Sequence, residues 1–579
     1  MRRTVPLTLK LAAAGAALVA GFMGSLAASV PALAKTAEPK PVLDGSAVAV
    51  PDRYSADTAQ QIFAEGGNAV DAAVAIAFTL AVTYPDAGNL GGGGFMTLYV
   101  DGKPYFLDYL GRAPQQATRE MYLDDKGKPV PGMSVVGYRA ATVPGTVDGM
   151  WEAQRRFGKL KWKQVLAPAI HYATDGFKVD ARLQKIHDAA APGFAGKTNF
   201  DAYFSNLKAD VSFRQPELAQ TLSRIASDGG REFYEGHTAD LIAAQMYGHG
   251  LITKPDLQQY KALWRDPLTA DWNGYRVVTA PPPGSGGVGL IQMLKMKADL
   301  KPAFAGLDLN SAPYIHLIAQ IEDRVFADRQ QYMGDPDAAP VPVARLIDDA
   351  YLGPRADEVS PDEVPGAAPV KPGLGAGAGG TTAEKPQTTH FSVVDKWGNA
   401  VSNTYTLNGS FGAGVVVDGG GFLLNDEMDD FDITPAATNP SGGTADGLNT
   451  IAPGRRPVSS MTPTLLLKDG KVALVIGTPG GSRIFTSIFQ VMTDIYDFGL
   501  SPTDALAALR FHHQLLPQKT IYWEPYHPIT GDLADQLKAL GYTLEGQSFN
   551  GDVQLIRVDG TTPQPAADPR GVGVGRVFQ

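Results

Sequence analysis

The chain has 579 residues, of which 44% are hydrophobic and 19% charged, a balance that is typical of a globular enzyme and excludes a disordered or coiled-coil protein. Its formal net charge is -10 at pH 7, and its basic clusters are no larger than pairs such as Arg155-Arg156, so nucleic acid is not an expected partner. There is no cysteine, and the length is sufficient for a large core without disulfides.

The first 34 residues have the pattern of a secretory signal. Arg2 and Arg3 precede a largely apolar stretch over residues 7–30, and Ala32-Leu33-Ala34 forms an A-x-A cleavage site. We expect cleavage after Ala34 and a periplasmic or secreted protein with no stable membrane insertion. The alternative is an uncleaved anchor, because the apolar stretch is long enough to span a bilayer.

The next predicted elements are two helices and a hairpin. Apolar residues recur at helical spacing over residues 56–82 and are interrupted at Gly66-Gly67, which predicts a helix, a glycine turn and a very apolar helix that begins near Asn68. Residues 95–109 predict a β-hairpin whose turn lies at residues 101–104.

The composition changes twice in the rest of the chain. Residues 150–350 predict a helical layer with little strand signal. Residues 361–387 are rich in Pro, Gly, Ala and Thr, which predicts a flexible linker. The chain from Thr388 onward is strand-rich, with hairpins predicted at 391–406 and 464–476 and helices at 482–496 and 532–540. Helices and strands in both parts indicate layered α and β packing.

Two phosphate-loop patterns are false positives. Residues 191–198 fit a loose Walker A expression but follow a helical segment instead of a strand. Residues 375–380 satisfy G-x-G-x-x-G inside the linker, with no strand before them and no helix after them. The nine histidines form no H-E-x-x-H pattern, so neither a metal ion nor another cofactor is expected.

Thr388 stands where the predicted linker meets a predicted strand. A threonine hydroxyl is a poor nucleophile at neutral pH, and a free α-amino group with a pKa of about 7.7 to 8 can act as its base. An internal threonine must therefore first become an N-terminus, by a cut between Gln387 and Thr388. From the residues alone, the commoner alternative is that Thr388-Thr389 only begins a strand.

A series of motifs runs through nearly the whole chain after residue 34. They are Gly66-Gly67-Asn68-Ala69-Val70-Asp71-Ala72-Ala73, Gly91 to Phe95, Val143-Pro144-Gly145-Thr146, Pro281-Pro282-Pro283, Phe326-Ala327-Asp328-Arg329, Thr388-Thr389-His390-Phe391-Ser392-Val393-Val394-Asp395, Gly398-Asn399-Ala400-Val401, Thr404-Tyr405-Thr406-Leu407-Asn408, Leu424-Asn425-Asp426-Glu427-Met428-Asp429-Asp430-Phe431, Arg456-Pro457-Val458-Ser459-Ser460-Met461-Thr462-Pro463-Thr464, Gly477-Thr478-Pro479-Gly480-Gly481-Ser482-Arg483 and Arg510-Phe511-His512-His513-Gln514. Together they resemble the γ-glutamyltransferase family of N-terminal nucleophile hydrolases.

The resemblance implies an α+β fold with four layers in the order αββα. It also implies self-cleavage into two fragments, residues 35–387 and 388–579, which would stay together as a heterodimer. Thr388 would attack a γ-amide carbonyl, form an acyl-enzyme and pass the acyl group to water or to an amino acid, peptide or amine. The implied substrates are glutathione-like γ-glutamyl amides.

The resemblance also assigns roles around Thr388. Thr406 would position the hydroxyl and amine of Thr388, and the N–H groups of Gly480 and Gly481 would form an oxyanion hole at a helix N-terminus. The remaining assignments are Asn408, Glu427 and Asp430 for the substrate α-ammonium group, and Ser459 and Ser460 for its α-carboxylate.

The sequence departs from the family pattern at residues 107–114. The family places an arginine that clamps the α-carboxylate where this chain has Leu110. Either Arg112 reaches in instead, or the substrate presents that carboxylate differently or lacks it, so a paralogue that hydrolyses another acyl amide, such as a glutaryl amide, is an alternative. An unprocessed binding relative is a third hypothesis.

A second departure concerns the cover of the site. Residues 432–458 would form a lid over the nucleophile and contain no aromatic residue. We therefore expect an open or glycine-flexible cover.

Overall fold

The computed structural model describes residues 42–362, 369–375, 387–433, 447–547 and 551–579. The predicted signal peptide, most of the predicted linker and the middle of the predicted lid lie outside these residues. The described residues belong to one compact unit.

The described part of the chain contains strands and helices in both halves. The strands are β1 Ser46–Val50, β2 Gly93–Val100, β3 Lys103–Asp108, β4 Phe177–Lys178, β5 Ser212–Phe213, β6 Leu263–Arg265, β7 Leu268–Trp272, β8 Tyr275–Thr279, β9 Thr389–Val394, β10 Ala400–Thr406, β11 Thr464–Lys468, β12 Lys471–Gly477, β13 Phe511–His513, β14 Thr520–Trp523, β15 Thr543–Gly546, β16 Gln554–Asp559, β17 Thr562–Ala567 and β18 Val574–Phe578. The α-helices are α1 Arg53–Ala64, α2 Ala69–Thr83, α3 Thr146–Phe157, α4 Trp162–Asp175, α5 Ala181–Phe194, α6 Phe200–Phe204, α7 Pro216–Asp228, α8 Glu232–Glu235, α9 His237–Met246, α10 Lys254–Gln259, α11 Gly286–Asp299, α12 Lys301–Phe304, α13 Ala312–Tyr332, α14 Val343–Leu346, α15 Asp349–Asp357, α16 Ile484–Tyr496, α17 Pro502–Ala507 and α18 Gly531–Ala539. Short 3₁₀ helices lie at Tyr138–Ala140, Glu427–Asp430 and Gly481–Arg483.

Two large sheets form the centre of the molecule. One has seven strands in the order β18-β1-β9-β10-β2-β3-β6, and the other has six in the order β17-β16-β12-β11-β8-β7. A core of small and branched side chains, including Ala47, Val278 and Val475, lies between the two sheets. Helices α1 and α2 bury their apolar residues against the first sheet, and α11, α13 and α16 bury theirs against the second. The predicted α+β fold with αββα layers is therefore confirmed.

Helix α2 is the most deeply buried helix next to the first sheet. Asn68 caps it, because its side-chain oxygen accepts from the N–H groups of Val70 and Asp71 at 3.0 Å each. Asp71 returns a hydrogen bond by accepting from the Asn68 N–H at 3.0 Å, which completes a capping box. All 15 residues of the helix are buried, which explains its apolar composition on every face.

The first hairpin has a tighter turn than the sequence pattern indicated. Asp101 and Gly102, with φ of 49° and 79°, form the whole turn, whereas the prediction extended it through residue 104. Lys103 and Pro104 instead pair with Val100 and Tyr99. Two consecutive positive φ values form a two-residue turn whose twist matches that of the strands. Because this turn is shorter than predicted, Lys103 and Pro104 can pair.

The prediction of little strand structure between residues 150 and 350 was wrong. Strands β6, β7 and β8 lie there, β6 at the edge of the first sheet and β7 and β8 in the second. The turn between β7 and β8 is Asn273-Gly274, with φ of 48° and 77°. Asn-Gly is the strongest short hairpin signal in a sequence, so this dipeptide could have revealed the pair.

Among the described residues, no helix combines the length and apolar character needed to cross a membrane.

Candidate active site

The hairpin of β9 and β10 places two threonines side by side. Thr389 pairs with Tyr405 and His390 with Thr404, so continuing the antiparallel register by one residue sets Thr388 opposite Thr406. Their Oγ atoms are 3.3 Å apart. The side chain of Thr388 is thus positioned by strand pairing, and a one-residue slip would move Thr406 to the other face of the sheet.

Both hydroxyl groups converge on the carbonyl of Gln387. The Thr388 hydroxyl donates to the Gln387 oxygen at 2.7 Å, and the Thr406 hydroxyl donates to the same oxygen at 3.0 Å. The N–H of Asn408 donates to the Thr406 Oγ at 2.8 Å and holds that hydroxyl in place. The predicted nucleophile therefore lies against the peptide bond that the sequence predicts it cuts, and a second hydroxyl polarises the carbonyl.

His390 fills the space between the two sheets next to Thr388. Its Nδ1 lies 2.8 Å from the Thr404 hydroxyl and its Nε2 lies 3.1 Å from the Ser392 hydroxyl. Complete burial lowers the pKa of His390 to about 3, because the charged ring would lose its hydration. The ring is therefore neutral, and it packs and orients the strand instead of accepting a proton from Thr388.

Asn408 follows Thr406 in a left-handed conformation, with φ of 78°, which asparagine tolerates better than most residues. Its Nδ2 donates to the carbonyl of Asp426 at 3.0 Å. The Asp426 carboxylate accepts from the N–H of Gly409 at 2.7 Å. These bonds fix the loop after β10 to the segment that carries Glu427.

Glu427 is completely buried and asymmetrically hydrogen-bonded. Its Oε2 accepts from the N–H of Gly111 at 3.1 Å and from the Thr142 hydroxyl at 3.0 Å. Its Oε1 is also buried and has no hydrogen bond of normal geometry among the described residues, although the backbone N–H of Gly93 also interacts with the carboxylate and lowers its pKa. Burial raises the pKa of Glu427 to about 8. A buried, unmatched acceptor is a place where a cationic group would be stabilised.

Asp430 ends the same 3₁₀ helix that begins with Glu427. Its side chain is buried, and its main-chain oxygen accepts from Asn449 Nδ2 at 2.7 Å. The short helix therefore carries two of the three residues assigned to the ammonium group, and their role stays a prediction.

Ser460 contacts a cation that the sequence reasoning did not assign, and Ser459 is linked to the same cation through Ser285. Arg329 on α13 donates from Nη2 to the Ser460 hydroxyl at 3.0 Å and from Nε to the Ser285 hydroxyl at 3.0 Å. The N–H of Ser285 donates to the Ser459 carbonyl at 2.7 Å. The signal that could have found Arg329 is its place in the motif Phe326-Ala327-Asp328-Arg329.

The side chains of Leu110 and Arg112 lie in different environments. The Leu110 side chain is completely buried in the core that contains Phe95 and Phe106. Arg112 is half-buried, and its Nε donates to the carbonyl of Gly454 at 2.7 Å. Burial and the nearby Arg456 lower the pKa of the Arg112 guanidinium, which nonetheless stays charged because an arginine pKa starts above 12.

The loop after β12 contains the two predicted oxyanion-hole glycines. Gly480 and Gly481 have φ of 144° and 59°, which favours glycine. The 3₁₀ turn Gly481–Arg483 separates them from α16, so the α-helix begins at Ile484 instead of the predicted residue 482. A 3₁₀ turn is a common start of an α-helix, and here it accounts for the two-residue difference.

A cavity of about 630 Å³ contains both Thr388 and Gln387 in its wall. Asp426 and Pro479, the residue before the glycine pair, line the same cavity. The rest of the wall includes one face of α5 and the charged residues Arg182, Lys185, Asp552 and Arg570. The structure thus places Thr388 beside Thr406 and brings Pro479, the residue before the glycine pair, to the same cavity. The other residues predicted for the site do not line this cavity, namely Thr406, Asn408, Gly480, Gly481, Arg112, Glu427, Asp430, Ser459 and Ser460.

A threonine at the start of a central strand of an αββα sandwich defines the class of N-terminal nucleophile hydrolases. A profile of the gamma-glutamyltranspeptidase family matches residues 55–578. The chain is also 59% identical over 540 residues to the glutathione hydrolase proenzyme of Pseudomonas aeruginosa, a match that covers 93% of this chain and 95% of that protein. The chain belongs to the γ-glutamyltranspeptidase family and is an enzyme of that family.

Two solved structures have the same fold. The cephalosporin acylase of Bacillus halodurans superposes with a TM-score of 0.79 at 27% identity, over 95% of this chain and 99% of that chain. A γ-glutamyltranspeptidase chain from Pseudomonas nitroreducens, complexed with L-DON, has a TM-score of 0.57 and 56% identity. The match covers 57% of this chain and 100% of that chain. The proenzyme name and this partial cover fit a precursor that is processed into two subunits.

Proposed function

We propose that this protein is an autoprocessing γ-glutamyl hydrolase and transferase that acts on glutathione-like γ-glutamyl amides. The observation that carries the proposal is the approach of the Thr388 and Thr406 hydroxyls to the Gln387 carbonyl, at 2.7 Å and 3.0 Å. The printed names of its relatives support the choice of substrate.

Autoprocessing begins when Thr388 Oγ bonds to the carbonyl carbon of Gln387. The hydroxyl of Thr406 donates to the oxyanion that forms. The C–N bond then breaks while the Thr388 nitrogen takes the proton that Oγ released, which leaves an ester between Gln387 and Thr388 Oγ. Water hydrolyses that ester and yields a carboxylate on Gln387 and a free α-amino group on Thr388.

The cut produces subunits of residues 35–387 and 388–579, and the sheet holds them together. In the seven-stranded sheet, β1 lies between β18 and β9, and β10 pairs with β2. Strands from before and after residue 388 therefore share backbone hydrogen bonds that survive the cut. We infer a heterodimer for this reason.

In the mature enzyme, the free amine of Thr388 takes the proton of its own hydroxyl. Oγ attacks the γ-carbonyl of the substrate, and the N–H groups of Gly480 and Gly481 stabilise the oxyanion. The leaving amine departs with the proton, and a γ-glutamyl ester remains on Thr388. Water or a second amine then breaks that ester.

The α-ammonium group of the substrate is assigned to Asn408, Glu427 and Asp430. The unmatched Oε1 of Glu427 supports this assignment, because an ammonium group would supply the missing donor and keep the carboxylate charged. The α-carboxylate is assigned to Ser459 and Ser460, with Arg329 behind them as a source of positive charge. Arg112 is the second cation that we assign to this end of the site.

The test of the nucleophile is the intact mass of the purified protein beside its Thr388→Ala variant. The wild type is expected as two fragments, with a new N-terminus at Thr388, and the variant as one uncut chain. An uncut wild type would contradict the proposed mechanism with Thr388 as an N-terminal nucleophile.

A second candidate is an acylase that prefers glutaryl amides. It is favoured by Leu110 at the position of the usual arginine and by the shared fold of the cephalosporin acylase. We compare kcat/KM for γ-glutamyl-p-nitroanilide and glutaryl-p-nitroanilide, and expect the γ-glutamyl compound to be the better substrate because Glu427 and Asp430 attract its ammonium group. A preference for the glutaryl compound would show that the protein acts as an acylase.

We also propose export to the periplasm or the exterior, with removal of residues 1–34. N-terminal sequencing of the exported protein should then begin at Lys35. A chain that keeps Met1 would support the membrane-anchor alternative.

A further inference from the structure

The cavity beside Thr388 is lined by charges of both signs. At the nucleophile, Asp426 is tied to the loop after β10 by the N–H of Gly409 at 2.7 Å. Helix α5 contributes Arg182 and Lys185 to the lining, and Asp552 and Arg570 add one charge of each sign. A ligand that carries an amine at one end and a carboxylate at the other would match this arrangement.

Helix α5 turns a single face toward the cavity. Its lining residues are Arg182, Lys185, Ile186, Ala189, Ala190, Gly193 and Phe194. They recur at intervals of three and four, which is one stripe of an α-helix. The two cations lie in the first turns of the stripe, and the rest of it is apolar.

Two of the three cations in the cavity wall are already engaged. Arg182 donates to both oxygens of Asp86, at 3.3 Å and 2.8 Å. Arg570 forms a salt bridge with Glu524 at 2.9 Å and donates to the carbonyls of Leu506 and Ala508. Lys185 is exposed, and among the described residues it is the cavity cation for which no such partner is seen.

We propose that this cavity binds the amine component of the reaction, an amino acid or short peptide, and that Lys185 recognises its carboxylate. The inference rests on the proposed γ-glutamyl transfer. The residues assigned to the γ-glutamyl group, Glu427 and Ser460 among them, lie outside the cavity wall, so the cavity is available to the other substrate. The amine that leaves during acylation and the amine that attacks afterwards occupy the same place, because transfer is acylation run backwards with a new amine.

In the proposed transfer step, each bond that forms is matched by one that breaks. The neutral amine nitrogen forms a bond to the γ-carbonyl carbon of the ester and gives a proton to the α-amino group of Thr388. The C–Oγ bond breaks, and Oγ takes that proton. Lys185 touches only the carboxylate of the incoming amine, so it sets the choice of acceptor and takes no part in the proton transfers.

The experiment uses two acceptors that differ only in the carboxylate, glycylglycine and glycylglycinamide, with γ-glutamyl-p-nitroanilide as donor. The measured quantity is the ratio of kcat/KM for the two acceptors, from the initial rate of each γ-glutamyl product. The wild type is expected to prefer glycylglycine by about fivefold, the scale of a solvent-exposed ion pair. Lys185→Met should bring the ratio close to one, Lys185→Glu should reverse it, and Lys185→Arg should keep it.

The matched control is Lys163→Met, a change at an exposed lysine on the neighbouring helix α4 that does not line the cavity. It should keep the wild-type ratio. An unchanged ratio in Lys185→Met would overturn the inference. A higher KM for the donor in simple hydrolysis, with the acceptor ratio intact, would also overturn it, because Lys185 would then bind the γ-glutamyl carboxylate. A wild type that releases no p-nitroaniline would instead refute the proposed function itself.

Discussion

Thr406 contributes a hydroxyl group at the proposed cleavage site. It donates to the Gln387 carbonyl at 3.0 Å and accepts from the N–H of Asn408 at 2.8 Å. Thr406→Val keeps the shape and removes both bonds. We expect autoprocessing to slow by about 10² to 10³, as after loss of one oxyanion donor. A time course of intact mass after purification measures the rate.

The control for this variant is Thr389→Val. Thr389 lies on the same hairpin, but its side chain points to the opposite face of the sheet from Thr388. Cleavage should proceed at the wild-type rate. If Thr389→Val slowed cleavage as much as Thr406→Val, the effect would come from strand propensity or packing and not from the hydroxyl.

We expect Glu427 to give the enzyme a pH-dependent affinity for its γ-glutamyl substrate. Because burial raises its pKa to about 8, the carboxylate is mostly protonated at pH 7 and mostly charged at pH 9. A charged Glu427 attracts the substrate ammonium group and a neutral one does not, so KM for γ-glutamyl-p-nitroanilide should fall by up to about fivefold as pH rises from 7 to 8, before the substrate ammonium group loses its own proton. In Glu427→Gln this fall should disappear.

The free amine of Thr388 also titrates in this range, and its effect falls on kcat. The comparison is therefore made on KM alone. Identical pH profiles of KM in the wild type and in Glu427→Gln would contradict a role for this carboxylate.

At the residue scale, the sequence could suggest a functional residue where the role depends on neighbours along the chain. The place of Thr388 after a predicted linker suggested a nucleophile, but the residues alone favoured an ordinary strand start. The motifs shared with a known family assigned the roles of Thr388 and Thr406, which stay predictions. The contact of Arg329 with Ser460 joins residues that are 131 positions apart, and no pattern within one segment predicts it. The unmatched oxygen of Glu427 depends on burial by several segments and was equally out of reach.

Strand β12 comes close to His390 at a glycine. A Cβ atom added at Gly477 would lie 2.3 Å from His390 Cε1, well inside van der Waals contact. Gly477→Ala should destabilise the fold by about 1 to 3 kcal/mol, as overpacking of a core does. It should also slow autoprocessing, because His390 is two residues from Thr388. Thermal unfolding and the cleavage time course test the two effects.

The matched control is Gly353→Ala in α15, where an added Cβ would meet nothing within 4 Å. It should leave cleavage unchanged and change stability by less than about 1 kcal/mol, because the helix preference of alanine is opposed by the contact of its Cβ with the ring of Pro354. Equal stability of the Gly477→Ala variant and the wild type would show that β12 can shift away from His390.

At the element scale, long and strongly periodic segments were predictable. Helix α2 was recognised from its apolar repeat and from Asn68, whose capping bonds are local in sequence. Strands β6 to β8 were missed because they have three to five residues each and mostly intermediate burial, so their period was weak. Their pairing partners, such as β11 for β8, are far away in the chain.

The order of strands in the first sheet links the two predicted subunits. Ser46 pairs with Phe578, and Ala47 pairs with both Val577 and Val394. We therefore expect both fragments to elute together at the mass of one heterodimer and to separate only in denaturant. Size-exclusion chromatography followed by denaturing electrophoresis of the same peak tests this. Separate elution under native conditions would contradict the shared sheet.

At the scale of the whole molecule, alternation of side chains predicted strands but not the stacking of two sheets. The layer order followed from the resemblance to a known family. Periodicity shows which face of a strand is buried, and it does not show which distant segment covers that face. The pairing of β1 with β18 closes a loop of more than 500 residues, far beyond the reach of any local signal.

The same strand order has a consequence for the history of the molecule. Since β1 lies between strands that come from beyond residue 388, we expect the chain to fold in one piece before it is cut. An intact chain folds at a rate that does not depend on concentration, whereas two separate pieces must first meet. The mature enzyme therefore persists through the height of its unfolding barrier. Once unfolded, it has lost the covalent link that brought its halves together, and its active form is reached only through a precursor that no longer exists.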